Sequence, residues 1–120
     1  MGKKILIADD SAFMRKILVN ILSKLGYKEV IEVEDGDGAV TKYKSERPAL
    51  VLLDIIMEKK DGIEALREIM ASDKKAKVVM VSTVGQEQMV KEAMELGAEN
   101  FIVKPFNASK VEEIVKKLLK

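Results

Sequence analysis

The chain has 120 residues, of which 48% are hydrophobic and 34% are charged, and its formal net charge is +1. This length suits one compact domain, and the composition is that of a globular protein rather than a disordered one. Lysine and glutamate are interspersed without a basic stripe, which argues against direct nucleic-acid binding. The absence of cysteine and histidine excludes disulfides, thiol catalysis and the usual zinc ligands.

The apolar stretches of the chain are short. Stretches such as 49–53 and 78–81 fall far below the roughly 18 residues that a membrane-spanning helix needs. The Met-Gly-Lys-Lys start is followed by Asp9 and Asp10 too early for a secretory signal peptide. We therefore expect a cytoplasmic protein without membrane insertion.

Short apolar runs alternate along the chain with segments of helical spacing. The runs are too short for helices and predict buried strands at Ile5–Ala8, Val30–Val33, 50–53, 78–81 and 101–103. The segments between and after them predict amphipathic helices around 13–25, 39–43, 63–70, 89–94 and 111–118. Repeated strand–helix units imply a parallel sheet covered on both faces. We predict one α/β domain over 1–120, a three-layer sandwich with a five-stranded parallel sheet and five helices. The periodicity alone leaves the strand order open.

Start and stop signals agree with these helices. Asp61 followed by Glu64, and Ser109 followed by Glu112, match the capping box that begins a helix. Two glycines stand where a helix must end, Gly26 and Gly97.

Polar residues follow four of the predicted strands. Strands of a parallel sheet end at one edge, where ligands bind, so these residues are expected to lie close together. They are Asp9 and Asp10 after the first strand, Asp54 after the third, Ser82 and Thr83 after the fourth, and Lys104 with Pro105 after the fifth. Asp9 and Asp10 are also explained as acids at a helix start. Asp54 is harder to explain structurally, because it interrupts the apolar run 50–57, where an unpaired charge is costly.

The three acids would repel one another in a shared crevice, and a divalent cation would relieve that repulsion. Mg²⁺ prefers oxygen ligands and keeps several waters, so a few carboxylates are enough to bind it. Asp54 would then be a carboxylate nucleophile, with Lys104 and Ser82 placed to bind phosphoryl oxygens. The sequence therefore predicts a Mg²⁺-dependent phosphorylation site on Asp54.

Along essentially its whole length the chain resembles the response-regulator receiver family. The resemblance is carried by five positions: Asp9 and Asp10 early in the chain, Asp54 as phosphoacceptor, Ser82 as switch hydroxyl, and Lys104 before a proline. It implies the flavodoxin-like strand order 2-1-3-4-5.

The resemblance also implies roles for individual residues. Asp10, Asp54 and the backbone carbonyl of Ile56 would bind Mg²⁺ directly, and Asp9 would act mainly through water. Phe101 stands at the position of an aromatic switch residue, whose rotamer follows the movement of the switch hydroxyl.

The stretch Asp-Ser-Ala-Phe-Met-Arg at 10–15 and the single-domain length are similar to CheY-like chemotaxis members of the family. They imply a switch, not an enzyme, that is phosphorylated by a CheA-like histidine kinase and then binds a flagellar or archaellar motor or adaptor protein. The docking face would comprise helix 4, strand 5 and helix 5, within 86–96, 101–103 and 108–119. We expect a monomer, with a phosphatase as a further candidate partner.

Four positions are expected to modulate the site. Glu58 stands where the family commonly has proline, and Thr83 is bulkier than the usual alanine or glycine beside the switch hydroxyl. Ile56 and Val84 lie where receivers tune the attack of water on the phosphoryl group, and both are apolar. We therefore expect slow self-dephosphorylation.

Other interpretations remain open. Two of them are a receiver of a non-chemotaxis phosphorelay and an interaction domain that works without phosphorylation. A phosphatase of the haloacid dehalogenase type would need a second Asp two residues after Asp54, where Ile56 stands. A flavodoxin-like nucleotide or flavin binder would have a Ser/Thr/Gly phosphate loop after its first strand, where Asp9 and Asp10 stand instead.

Overall fold

The computed structural model describes residues 3–57 and 59–119, in which five strands alternate with five helices. Their bounds are β1 (Ile5–Ala8), α1 (Ala12–Lys24), β2 (Val30–Val33), α2 (Gly36–Glu46), β3 (Leu50–Asp54), α3 (Gly62–Ser72), β4 (Val78–Ser82), α4 (Glu87–Glu95), β5 (Asn100–Val103) and α5 (Ala108–Leu119). The predicted alternation is confirmed, with Asp54 and Ser82 as the last residues of their strands rather than the first residues after them. None of the described helices is long and apolar enough to cross a membrane.

All strands are parallel, and their order in the sheet is β2-β1-β3-β4-β5. This confirms the order implied by the family resemblance. The chain places β2 on one side of β1 and then β3, β4 and β5 on the other, so the direction in which strands are added reverses between β1 and β3. Ligands of such sheets bind at that point, in the crevice outside the carboxyl ends of the strands. The acids that follow β1 and end β3 therefore lie at the position that the topology favours for a site.

Two buried apolar clusters cover the two faces of the sheet. Leu6 and Val51 face the cluster that includes residues of α2, α3 and α4, whereas Ile7 and Leu52 face the cluster that includes residues of α1 and α5. Successive side chains of a strand point to opposite faces, so strands buried on both sides must be apolar almost throughout. The three-layer sandwich is confirmed.

Helix boundaries follow local hydrogen bonding. Asp61 caps α3 as predicted, because its Oδ1 accepts a hydrogen bond of 2.9 Å from the backbone N–H three residues on. The predicted start of α5 at Ser109 is wrong: Asn107 Oδ1 accepts from the N–H three residues on at 3.2 Å, and the helix begins one residue before Ser109. The two predicted helix-ending glycines are confirmed with positive φ, Gly26 at 97° and Gly97 at 114°.

Candidate functional site

Three carboxylates converge at the carboxyl edge of the sheet. Asp9 and Asp10 follow β1, and Asp54 ends β3. Because β1 and β3 are neighbours, with Ala8 opposite Leu53, their ends deliver all three acids to one place. One oxygen from each acid lies within 4.8 Å of the others, which is a spacing that one metal ion could bridge. The predicted convergence is confirmed.

The three acids differ in their surroundings. Asp9 and Asp54 are buried, with 1% and 5% of their surfaces exposed, whereas Asp10 is exposed. Asp9 Oδ1 accepts a hydrogen bond of 2.9 Å from the Ser11 backbone N–H. Its other oxygen, Oδ2, has no hydrogen-bond partner among the described residues. Its negative charge lies 3.1 Å from the ammonium group of Lys104.

Lys104 reaches the acids from the far side of β4. It follows β5, which is separated from β3 by β4, and its long side chain brings Nζ to 2.9 Å from Asp54 Oδ2 and 3.1 Å from Asp9 Oδ2. The contact with Asp54 is a hydrogen bond, whereas the contact with Asp9 is an ion pair without hydrogen-bond geometry. Lys104 is fixed by its own backbone N–H, which donates to Ser82 O at 2.7 Å, and the following bond to Pro105 is cis.

Burial and the hydrogen bond from Lys104 have opposite effects on the pKa of Asp54. Burial, together with the negative charge of Asp9, raises the pKa of Asp54 from its ordinary 3.8 to about 6, although the hydrogen bond from Lys104 opposes this rise. Burial lowers the pKa of Lys104, but its contacts with Asp54 and Asp9 outweigh burial and leave that pKa raised. Around pH 7.5 Asp54 is therefore mostly ionised and Lys104 is protonated, the states that a nucleophile and an anion-binding cation require.

The backbone at the end of β3 leaves no room for a side chain at position 62. A Cβ at Gly62 would lie 2.0 Å from the carbonyl oxygen of Asp54, and the Gly62 N–H donates to Ile55 O at 2.7 Å. The start of α3 is thereby packed directly against the strand end that carries Asp54.

The predicted switch and modulating residues lie around this edge. Ser82 is buried at the end of β4, and Thr83 and Val84 follow it exposed to solvent. Ile56, two residues after Asp54, is 49% exposed, and its N–H lies 3.4 Å from Asp54 Oδ1. Glu58 lies outside the described residues.

A groove of about 370 Å³ runs from the end of β4 to the outer strand β5. Its lining includes Ser82, Thr83 and Val84 at one end, with α4 on one side and Phe101 of β5 on the other. Phe101 is 39% exposed, so its ring lies at the surface rather than in the core. The groove thus connects the neighbourhood of Asp54 with the predicted docking face.

Arg15, which contacts the backbone of Asp9, and Glu32, which contacts Arg15, do not stand out as site residues in the sequence. Arg15 of α1 donates from Nη1 to the backbone carbonyl of Asp9 at 2.7 Å, and its Nε donates to Glu32 Oε1 of β2 at 3.0 Å. The spacing of Arg15 from Asp9 is a weak signal for such a contact. No local pattern singles out Glu32, because its role depends on the neighbouring positions of β2 and β1.

The family comparison covers nearly the whole chain. Residues 5–116 match the family model of the response regulator receiver domain. Similar proteins include the chemotaxis protein CheY of Thermotoga maritima, 48% identical over 120 residues and aligned over all of both chains. They also include the chemotaxis protein CheY of Bacillus subtilis, 49% identical over 119 residues and 99% of both chains.

Solved structures agree in fold and in extent. CheY in the crystal structure of a CheX–CheY–BeF₃–Mg²⁺ complex from Borrelia burgdorferi has a TM-score of 0.92 and 42% identity, over 98% of this chain and 90% of that one. The receiver domain of NtrX from Brucella abortus has a TM-score of 0.90 and 33% identity, over 96% and 97% of the two chains. The similarity extends across the strand ends that hold the acids and the lysine.

Proposed function

We propose that this chain, which belongs to the response regulator receiver family, is a cytoplasmic switch that accepts a phosphoryl group on Asp54 from a histidine kinase. The observation that carries the proposal is the placement of Asp54 at the end of β3. Its carboxylate is buried, hydrogen-bonded to Lys104 and adjacent to Asp9 and Asp10. Among the described acids that cluster there, it is the one that combines burial with a direct hydrogen bond from a cation.

The donor set suits Mg²⁺. The acids supply only oxygen ligands, which this cation prefers, and few protein ligands are needed because it keeps several waters. Asp10, Asp54 and the carbonyl of Ile56 would hold it directly, with Asp9 acting through water. The buried Asp9 Oδ2, which has an ion pair with Lys104 at 3.1 Å but no hydrogen bond among the described residues, could accept one from a metal-bound water. When bound, the cation would offset the charge of the acids and of incoming phosphoryl oxygens.

Asp54 and Lys104 have different roles in the proposed phosphoryl transfer. An ionised oxygen of Asp54 attacks the phosphorus of a phosphohistidine; a P–O bond forms, the P–N bond breaks, and the imidazole nitrogen keeps the electron pair. Lys104 stays protonated and donates to a phosphoryl oxygen, which stabilises the charge of the transferred group. The product is an acyl phosphate on the chain, so the protein acts as a phosphoacceptor rather than as an enzyme on a small molecule.

The output is a change of surface at α4, β5 and α5. After phosphorylation, the Ser82 hydroxyl would move toward a phosphoryl oxygen and Phe101 would turn into the space that this movement opens. Ser82 and Phe101 line the same groove, which supports this coupling because it leaves space between the two side chains for such a movement. The phosphorylated face would then bind a different protein from the unphosphorylated one.

Chemotaxis is the pathway that the relatives favour. Proteins named chemotaxis protein CheY match at 48% and 49% identity over essentially whole chains, and another from Halobacterium salinarum matches at 40%. The partners we propose are therefore a CheA-like kinase and a flagellar or archaellar motor or adaptor protein, with the chain itself a monomer. A relative forms a complex with the protein CheX, which supports a further protein partner for this chain. The candidate we propose for that partner is a phosphatase. A receiver of a different phosphorelay is the alternative.

The phosphorylated state is proposed to persist. Ile56 and Val84 are exposed at the rim of the site, and their apolar side chains cannot hydrogen-bond a water molecule for attack on phosphorus. Exposed Thr83 would narrow access to Asp54 further, and Glu58 would add an acid two positions after Ile56 in the sequence.

Incubation with acetyl phosphate, followed by intact-mass measurement, tests phosphorylation without a kinase. The natural chain with Mg²⁺ is expected to gain the mass of one phosphoryl group, and this gain should disappear with EDTA. Asp54→Asn is the matched variant, because it keeps the size of the side chain and removes its nucleophilic charge. Equal labelling of both chains, or labelling of neither, would contradict the proposal.

A further inference from the structure

The peptide that joins Asp9 to Asp10 is held by a side chain from α1. Arg15 Nη1 donates to the carbonyl oxygen of Asp9 at 2.7 Å. A peptide group is planar, so holding this carbonyl also holds the orientation of the N–H and Cα of Asp10. The Asp9 N–H is held as well, by Val33 O at 3.2 Å.

Asp10 depends on this support more than its neighbours do. Asp9 has 1% of its surface exposed, and Asp54 is hydrogen-bonded to Lys104. Asp10 is exposed, yet one of its oxygens lies within 4.8 Å of oxygens from the other two acids. An exposed carboxylate keeps such a position only if its backbone is oriented correctly.

Arg15 is itself held in place. Its side chain is only 13% exposed, although it belongs to a residue type that normally extends into water, and its Nε donates to Glu32 Oε1 at 3.0 Å. Glu32 lies on β2, directly beside β1, where it pairs in register with Ile7. The guanidinium group therefore bridges the strand next to β1 and the turn that follows β1, a use for which its rigid array of donors is suited.

We infer that Arg15, oriented by Glu32, is a positioning residue that aims Asp10 at the divalent cation of this site. The inference rests on the proposed function, since it assumes that the acids bind Mg²⁺. It adds two residues outside the acid cluster: Arg15, which contacts the backbone carbonyl of Asp9, and Glu32, which holds Arg15.

Charge and positioning predict opposite effects of removing Arg15. A positive charge close to three acids disfavours a further cation, so charge alone predicts tighter Mg²⁺ binding by Arg15→Met. Loss of positioning predicts weaker binding, by about tenfold if this contact behaves like other groups that orient metal ligands. The sign of the change therefore separates the two explanations.

The test is titration calorimetry of the unphosphorylated full chain with Mg²⁺ alone. Arg15→Met is expected to weaken binding by about tenfold, and Glu32→Ala to weaken it less, because the guanidinium keeps its contact with the carbonyl. Arg15→Lys should recover only part of the loss, since one ammonium group does not reproduce the two-sided contact. Lys16→Met is the matched control: it removes a charge from an exposed position of the same helix and should not weaken binding.

Urea unfolding of the same variants without metal separates positioning from general stability. Lower stability of Arg15→Met with unchanged or tighter Mg²⁺ binding would overturn the inference and leave the proposed function intact. If the natural chain bound no Mg²⁺, both would fail. If Arg15→Met did not fold, Arg15→Lys, which keeps the positive charge, would decide the question, and natural Mg²⁺ affinity in that variant would overturn the inference.

Discussion

Replacing Asp54 by asparagine is expected to stabilise the unphosphorylated protein when no metal is present. Burial raises the pKa of the Asp54 carboxyl from 3.8 to about 6, so above that pH the folded state holds an ionised group in surroundings that disfavour it. Each pH unit between the two values corresponds to about 1.4 kcal/mol. The charge of Asp54 therefore destabilises the fold by about 3 kcal/mol at neutral pH.

Asparagine removes that charge and keeps one oxygen that can accept hydrogen bonds. Its oxygen can still accept from Lys104, although this bond is weaker than the bond to a carboxylate. Lys104 keeps its ion pair with Asp9 at 3.1 Å, so the lysine is not left unpaired. We therefore expect a net gain of about 1 to 3 kcal/mol in the free energy of unfolding at pH 7.5.

The pH dependence identifies the cause of this gain. Between pH 3.8 and about 6 the folded natural chain binds more protons at Asp54 than the unfolded chain does, so its stability falls as the pH rises. As the pH falls below 3.8 the carboxyl becomes protonated in the unfolded state as well as in the folded one, and the stability difference between the natural chain and the variant disappears. The difference between variant and natural chain should therefore be small near pH 4, grow up to about pH 6, and stay constant above that value.

Urea unfolding in EDTA, followed by far-UV circular dichroism, measures this difference across the pH range. Glu113→Gln is a suitable control, because it removes the same charge from an exposed position of α5 and should change stability by less than about 0.5 kcal/mol. An Asp54→Asn variant that is no more stable than the natural chain at pH 7.5 would refute the reasoning. A gain that is the same at pH 4 and pH 7.5 would refute the role of ionisation.

Three further changes have definite expected outcomes. Gly62→Ala places a Cβ 2.0 Å from Asp54 O and should lower the free energy of unfolding by about 1 to 3 kcal/mol in urea. Tyr43→Phe removes the 2.7 Å hydrogen bond to Asp73 from a buried ring and should cost about 1 kcal/mol in the same assay. Ile56→Asn introduces a polar side chain beside the phosphoryl group and should shorten its lifetime several-fold, as followed by intact mass after removal of the donor.

For each of these three changes, one result would contradict the expectation. A Gly62→Ala chain with an unchanged urea midpoint would mean that the strand end carrying Asp54 moves aside freely. An unchanged midpoint for Tyr43→Phe would mean that water replaces the lost bond at no cost. Equal phosphoryl lifetimes in the natural and Ile56→Asn chains would show that this position does not control attack by water.

Much of the site follows from the sequence because of one geometric rule. Parallel strands end at the same edge, so Asp9, Asp10 and Asp54 could be expected to meet once the strands were identified. An aspartate that interrupts an apolar run, as Asp54 does, is also a strong signal by itself. The strand order was not accessible in this way, because hydrophobic periodicity shows which faces are buried but not which strands are neighbours.

Other features depended on contacts that no local pattern encodes. The reach of Lys104 across β4 depends on the strand order and on the length of its side chain. The contact between Arg15 and Glu32 requires β2 to lie beside β1, which a scan of either segment alone does not show. The start of α5 was misplaced because Asn107, an equally good capping residue, precedes the more familiar motif at Ser109.

The most direct test of the central claim is chemical identification of the phosphorylated residue. After treatment with acetyl phosphate and Mg²⁺, borohydride reduces an aspartyl phosphate to homoserine, and peptide mass mapping shows which position has changed. Conversion at Asp54 alone, and none without acetyl phosphate, is the predicted result. Conversion at Asp9, Asp10 or another acid, with Asp54 unmodified, would contradict the account.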